Sequence, residues 1–221
     1  MLKLLVALAL CVPCLAQAQK RSADDVWNEL YAKREGKEHQ FNKFLAEAVK
    51  GKTPGKALDI GMGQGRNSLF LAALGWDVTG FDISDVGVKQ AQAEAAKRNL
   101  KINAMVGDVD KFDYGKSRYD LIVGLYMHEY LTRNAAKVSA ALKPGGMLVV
   151  EGIHRDVNKD NMQGEKYGHF SNELTKVFAG LRIREYQDLV TQADWERSGG
   201  KPVPVVRLLA VKEQSARLKK Q

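Results

Sequence analysis

From residue 57 to residue 151 short apolar runs and helical stretches alternate one for one, and that order restricts the chain to few folds. Strands are read at 57–60, 77–81, 102–106, 120–124 and 147–151, with helices at 67–74, at 84–99 with Ser84 as N-cap, and at 133–142. Strands joined by single helices need right-handed crossovers, so they build a doubly wound parallel α/β sheet. After a helix at 171–179 the pattern changes. The runs 181–189 and 203–211 follow each other with no helix between them and are expected to pair antiparallel at the sheet edge. The total is a mostly parallel seven-stranded sheet with an antiparallel last strand. Ahead of it, helical spacing of Val26 and Leu30, then of Phe41, Phe44, Leu45 and Val49, predicts two helices broken near Gly36.

The first strand runs into the turn Gly61-Met62-Gly63-Gln64-Gly65, then into a helix. Glycine lets backbone approach a ligand, and a helix start offers free N–H donors. A dinucleotide turn spaces its glycines G-x-G-x-x-G, and here Arg66 stands where the last one belongs. No Gly-Lys-Ser/Thr follows, which excludes a P-loop. Asp59, two residues before Gly61, would repel a diphosphate and favour a ligand with an ammonium group. S-adenosylmethionine, with an ammonium, a sulfonium and no phosphate, fits that combination. Asp82, about 20 residues on, is placed to accept ribose hydroxyls. Asp108, after the third strand, is placed to accept the adenine amine.

With these pieces in view, the chain resembles the class I S-adenosylmethionine-dependent methyltransferases through "LDIGMGQG", "GFDIS", "VGDV", "YDLIVG" and "LKPGGMLVVEG". Through "GQGRNSLFLAALGWDV" and "FAGLRIREYQD" it is most similar to the tellurite-resistance branch. The resemblance spans about residues 56–212 and implies the Rossmann-like methyltransferase fold. It implies S-adenosylmethionine as cofactor, held by Asp59, Gly61, Met62, Gly63, Asp82 and Asp108, with Ile83 and Val109 flanking the adenine. It does not carry over an acceptor: the final loop has Arg197 and Lys201 and no His.

Methyl transfer from a sulfonium needs alignment and dryness first, and a base only where the acceptor carries a proton. His128 in "GLYMHEYL" follows the fourth strand and His154 in "VVEGIHRD" follows the fifth, so both are candidates for base or acceptor positioning. The four histidines, His39, His128, His154 and His169, show no metal-ligand spacing, and no metal is expected. The aromatics Trp27, Tyr31 and Phe41 of the leading helices suit a lid over a sulfonium.

The start, "MLKLLVALALCVPCLAQAQ", has a basic residue, an apolar run and a small-x-small triplet, the layout of a secretory signal cut after Ala18. Its apolar run is short of the ~20 residues of a membrane span. Cys11 and Cys14, the only cysteines, fall inside it and read as signal residues rather than a redox pair. The organisation expected is therefore a signal at 1–18, leading helices at 19–55, a cofactor-binding domain at 56–212 and a charged tail at 213–221. Export is the expected location; a cytoplasmic or membrane-anchored chain is the alternative, with membrane contact only if the segment stays uncleaved. The net charge of +8 is scattered along the chain, which argues against a nucleic-acid groove. A small-molecule methyltransferase is the leading reading, beside a non-catalytic adenosyl-ligand binder and a nucleotide-dependent oxidoreductase.

Overall fold

The structure, a computed structural model, describes residues 22–36, 40–158, 167–192 and 201–214. Cys11, Cys14, the cleavage site at Ala18 and Arg197 lie outside the described residues. The strands are β1 (Lys56–Ile60), β2 (Asp77–Asp82), β3 (Asn103–Val106), β4 (Tyr119–Leu125), β5 (Leu142–Ile153), β6 (Arg182–Gln192) and β7 (Pro202–Val211). The helices are α1 (Ala23–Ala32), α2 (Lys43–Val49), α3 (Arg66–Ala73), α4 (Asp85–Lys97), α5 (His128–Thr132), α6 (Ala135–Ala141) and α7 (Glu173–Val177), with a 3-10 turn at Arg155–Asn158.

The sheet order is β3-β2-β1-β4-β5-β7-β6. All neighbours are parallel except β7, which runs antiparallel to both β5 and β6. The order reverses between β1 and β4, so a crevice opens at their carboxyl ends. One face of the sheet packs Leu58, Ile122, Leu148 and Val150 against Leu131, Val138 and Leu174 of α5, α6 and α7. The other packs Ala57, Leu121, Val123 and Val149 against Leu45 of α2 and Leu71 of α3.

Two helices start on the side-chain caps their sequence offers. Asn42 Oδ1 accepts the Leu45 N–H at 2.8 Å, and Ser84 Oγ accepts the Gly87 N–H at 3.0 Å. The helix expected at 133–142 is α6, and the short helix α5, not expected, precedes it. Asn134 turns its amide to Asp110 Oδ1 at 2.8 Å and to the Tyr130 carbonyl at 3.0 Å, and this breaks the run between α5 and α6. β5 begins at Leu142 rather than 147 because Leu142 already pairs with Tyr119, and the bulge through Pro144 and Gly145 then shifts the register to Leu121↔Met147.

A buried carboxylate ties four segments together. Glu151 is fully buried and faces Arg207 across the β5–β7 pair, with Arg207 Nε donating to its Oε2 at 2.5 Å. Its Oε1 accepts from Asn42 Nδ2 at 2.7 Å and from the Tyr126 hydroxyl at 2.5 Å. Removing one partner of such a pair strands a charge in low dielectric. Arg207→Met should therefore lower the unfolding free energy in urea by about 3–5 kcal/mol, and adding Glu151→Gln to it should recover more than half of that loss.

Candidate cofactor and acceptor site

The glycine turn is built on positive φ. Gly61 (+69°), Gly63 (+53°) and Gly65 (+82°) hold a left-handed conformation that other residues adopt only under strain. The Gly61 and Met62 N–H groups both donate to the Phe81 carbonyl, at 2.9 and 3.0 Å, which pins the turn to β2. At the end of β2, Asp82 Oδ2 accepts the Gly63 N–H and Oδ1 accepts the Ser84 N–H, both at 2.9 Å. The carboxylate thus locks the turn to the start of α4.

Asp59 and Asp82 are both buried, 2% and 6% exposed. Burial pushes the Asp59 carboxyl up to about 6, against the opposing pull of the Ser68 hydroxyl that donates to it at 2.7 Å. Burial likewise raises Asp82, opposed by the N–H groups of Ser84 and Gly63. Arg66, the nearest cation to the turn in sequence, points its guanidinium at the Gln40 carbonyl, 2.7 Å away. Two buried carboxylates beside a glycine cradle disfavour a diphosphate and suit a cationic amino-acid group.

The other expected cofactor residues fall into two groups. Gly61, Gly63, Asp82 and the half-buried Ile83 surround the crevice. Asp108 sits at the surface, its side chain 34% exposed, with Oδ1 accepting the Asp110 N–H and Oδ2 3.6 Å from Lys111 Nζ, so it acts as a turn former. The side chains of Met62 and Val109 are buried. Met62 has its sulphur against Gly80, and Val109 belongs to the core cluster of Phe81 and Tyr114, whose hydroxyl donates to the Val109 carbonyl.

Of the leading aromatics it is Tyr31 that reaches the turn; Trp27 stacks on it from outside at 5.8 Å. The Tyr31 hydroxyl occupies the space beside Gly63, where a Cβ would lie 2.6 Å from it. Burial, then the Asp82 charge, raises this hydroxyl far above its ordinary range. Gln90 Nε2 donates to the Tyr31 carbonyl and Gln64 Nε2 to the Arg34 carbonyl, each at 3.3 Å. Across the crevice Met127 covers Gly61, whose missing Cβ is the room its sulphur takes.

Beyond β4 the backbone is strained. Tyr126 (φ +59°) and His128 (φ +43°) are both left-handed, flanking Met127. Non-glycine residues hold that conformation only where the surroundings impose it, and such sites cluster at function. The Tyr126 N–H and hydroxyl both bind Glu151, through its carbonyl at 2.6 Å and its carboxylate. His128 is 8% exposed and its Nδ1 has no partner. Burial, with the nearby His169 and Arg155, lowers its pKa to about 3, so it is neutral at physiological pH.

His154 stands apart from it. Its Nδ1 accepts the Asp156 N–H at 3.1 Å, which fixes the proton on Nε2, and Nε2 donates to Ser171 Oγ at 3.2 Å. Ser171 in turn donates to Asp188 Oδ2 at 2.5 Å. With both nitrogens engaged, His154 has no lone pair for an acceptor's proton and braces the 3-10 turn against β6. Two residues at this end had been singled out less than the structure warrants. Glu151 is a hub and Arg207 its counter-charge, and the signal for both is one lone charge in each of two apolar strands, "VVEGI" and "VVRLLAV". His169 reaches His128, ring centroids 5.4 Å apart, with no spacing signal at all. Among the described residues no group of three or more His, Cys, Asp or Glu is arranged to hold a metal ion.

A sheet that reverses between β1 and β4, with acids on the ends of β1 and β2 around a glycine bend, defines a class I S-adenosylmethionine-dependent methyltransferase. The chain belongs to the TehB tellurite-resistance protein family, whose family model matches residues 27–195. A probable S-adenosyl-L-methionine-dependent methyltransferase TehB of Haemophilus influenzae is 36% identical over 89 residues, 40% of this chain but only 31% of that protein's length. A ubiquinone biosynthesis O-methyltransferase of Coxiella burnetii is 31% identical over 166 residues, 72% of this chain and 68% of the relative. The crystal structure of TehB from Haemophilus influenzae superposes with a TM-score of 0.69 at 23% identity, over 85% of this chain and 67% of that one. A methyltransferase from Methanosarcina mazei follows at 0.63 and 19%, over 79% and 99%. S-adenosylmethionine is the cofactor of this class, and the cradle at Gly61 and Gly63, with its two carboxylates, fits it.

Keeping His128 neutral makes stability depend on pH. The unfolded chain binds a proton near pH 6.5, while the folded one resists until about 3. The stability that His128 contributes is therefore complete above pH 6.5 and is lost as pH falls toward 3. Between pH 6.5 and 5 the protein should lose about 2 kcal/mol more than a His128→Gln variant, measured by urea unfolding.

Proposed function

We propose that this protein transfers a methyl group from S-adenosylmethionine to a small-molecule acceptor. The observation that carries the reading is the run of acids at the carboxyl ends of three successive strands, Asp59, Asp82 and Asp108, around a glycine bend whose neighbouring Arg66 donates to the Gln40 carbonyl. In this reading Asp59 favours the cofactor's ammonium group, Asp82 its ribose and Asp108 its adenine amine. Gly61, Gly63 and the backbone of Met62 line the amino-acid end, and Ile83 and the backbone of Val109 flank the adenine. When bound, the cofactor supplies a methyl carbon on a sulfonium that leaves as a neutral thioether.

The chain's own work is to hold the acceptor in line and keep water out. Tyr31 and α1 cover the turn, and Met127 and the neutral His128 face the acceptor's side. Neutrality matters here, because an imidazolium beside a sulfonium would oppose cofactor binding. The relatives' names support the chemistry at this level. One is a ubiquinone biosynthesis O-methyltransferase and another, from Halalkalibacterium halodurans, a ribosomal protein L11 methyltransferase, 33% identical over 104 residues.

Calorimetry with S-adenosylmethionine and with NAD tests the reading: binding of the first and not the second is expected, and the reverse sinks it. Asp59 adds a sharper outcome. Its free carboxyl titrates near 6, and a bound ammonium favours the ionised form, so binding releases a proton below that pH. Affinity should rise by up to about tenfold per pH unit from about pH 4.5 to 6 and then level off, whereas Asp59→Asn should show no such rise. Export belongs to the same proposal. The first 18 residues read as a signal, and a mature protein beginning at Gln19 is expected when the N-terminus of the fractionated protein is sequenced.

A further inference from the structure

Buried polar atoms without a partner gather at one place in this fold. Among the described residues they are Tyr119 Oη, His128 Nδ1, Glu129 Oε2 and both ring nitrogens of His169. All but the first lie on α5 or just before α7. Buried groups left unpaired are rare in proteins and call for a reason. His169 is fully buried and His128 nearly so. Gly152 on β5 makes the room: a Cβ there would lie 2.9 Å from His169 Nε2 and 3.0 Å from His128 Nδ1, so the two nitrogens flank one point.

On the other side of His169 stands Glu173. Its Oε2 accepts the Phe170 N–H at 2.8 Å and lies 3.8 Å from His169 Nδ1. That is too long for a hydrogen bond, yet near enough for the charge to select the Nδ1–H tautomer. His169 Nε2 then keeps its lone pair, beside the point at Gly152 that His128 Nδ1 also flanks. Among the described residues Arg155 of the 3-10 turn also acts on His128, and Glu129 follows it on α5 with its Oε2 buried.

We propose that His169, backed by Glu173, is a positioning residue that enables His128 to take the proton of a hydroxyl acceptor, which makes the reaction an O-methyl transfer. The inference rests on the methyl-transfer reading above. By itself His128 holds a proton poorly, because it is desolvated and faces Arg155. The two facing nitrogens, His128 Nδ1 and His169 Nε2, are not hydrogen-bonded to each other in this structure; once a bound acceptor brings Nδ1 within reach of the lone pair at His169 Nε2, His128 can release a proton from Nδ1 as it gains one at Nε2, and Glu173 balances the charge that arrives. On the acceptor the O–H bond would break and its proton go to His128, while the oxygen's electron pair would form the O–C bond to the methyl as the methyl–sulphur bond breaks, its pair staying on the departing thioether. A nucleophile without a proton, such as an oxyanion or a tertiary amine, has no use for this arrangement.

Long-range 1H–15N spectra of the histidine-labelled full chain with S-adenosylhomocysteine read the tautomers directly. His169 should carry its proton on Nδ1, and Glu173→Gln, which keeps the size and the acceptor for Phe170, should mix the two tautomers. With catechol as probe, kcat should fall about tenfold in Glu173→Gln and about 100-fold in His169→Phe, with KM within about threefold. The acid limb of the pH–rate profile of Glu173→Gln should move to lower pH, since the imidazolium has lost its counter-charge. Both variants should bind S-adenosylmethionine within about twofold of the parent, because neither residue touches the glycine turn. Three results would overturn the proposal: His169 with its proton on Nε2, unchanged kcat in both variants, or no methyl transfer to catechol by a parent protein that binds the cofactor. A parent that does not bind S-adenosylmethionine overturns the methyl-transfer reading together with this one.

Discussion

The acceptor side of the crevice is shaped by the grip of Glu151 on Tyr126. One residue supplies both holds, its carbonyl taking the Tyr126 N–H and its carboxylate the Tyr126 hydroxyl. That grip imposes the left-handed turn at the end of β4. Because of the turn, Met127 is laid over Gly61 on the cofactor side and His128 is carried toward Gly152. Arg207 and Asn42 complete the shell of this buried carboxylate. The geometry at the site therefore depends on a pair of strands, β5 and β7, that contribute little to the cofactor cradle itself.

The two ends of the crevice differ in charge. Around the glycine turn the buried groups are acids, whose ionised forms a cation would stabilise. Beyond β4 the buried groups are imidazoles, of which His128 is held neutral by the same desolvation that raises the carboxyl of Asp59. Burial acts on both in the direction of losing charge, and opposite chemistry results. An acid that resists ionising is ready for a cationic ligand, while a histidine that resists protonation puts no positive charge near a sulfonium.

Much of this was legible in the sequence because it is local. Periodicity marked all seven strands, Ser84 announced its helix, and the D-x-G-x-G spacing with Asp82 after the next strand located the cradle. What was not legible is held by distant partners. Asn42 and Glu151 are 109 residues apart, and Arg207 is 56 residues beyond Glu151. Nothing in the spacing of His128 and His169 indicates that they share a pocket; only the absence of a side chain at Gly152 permits it. The break between α5 and α6 has the same origin, since Asn134 is an ordinary helix residue until Asp110, from the β3–β4 connection, takes its amide. His154 read as free because its two partners, the Asp156 N–H and Ser171, appear only once the turn is folded.

The way α1 is attached bears on how a ligand enters. None of its residues is fully buried. It is held by side-chain bonds from the Ser84 hydroxyl to Asn28 Oδ1 and from Gln90 Nε2 to the Tyr31 carbonyl, and by the Tyr31 ring over Gly63 and Gly87. Polar contacts of this kind exchange readily for water, whereas α2 and α3 are anchored by apolar side chains under the sheet. The same ring sits against the Gly63 backbone, so helix and glycine turn are joined through one residue.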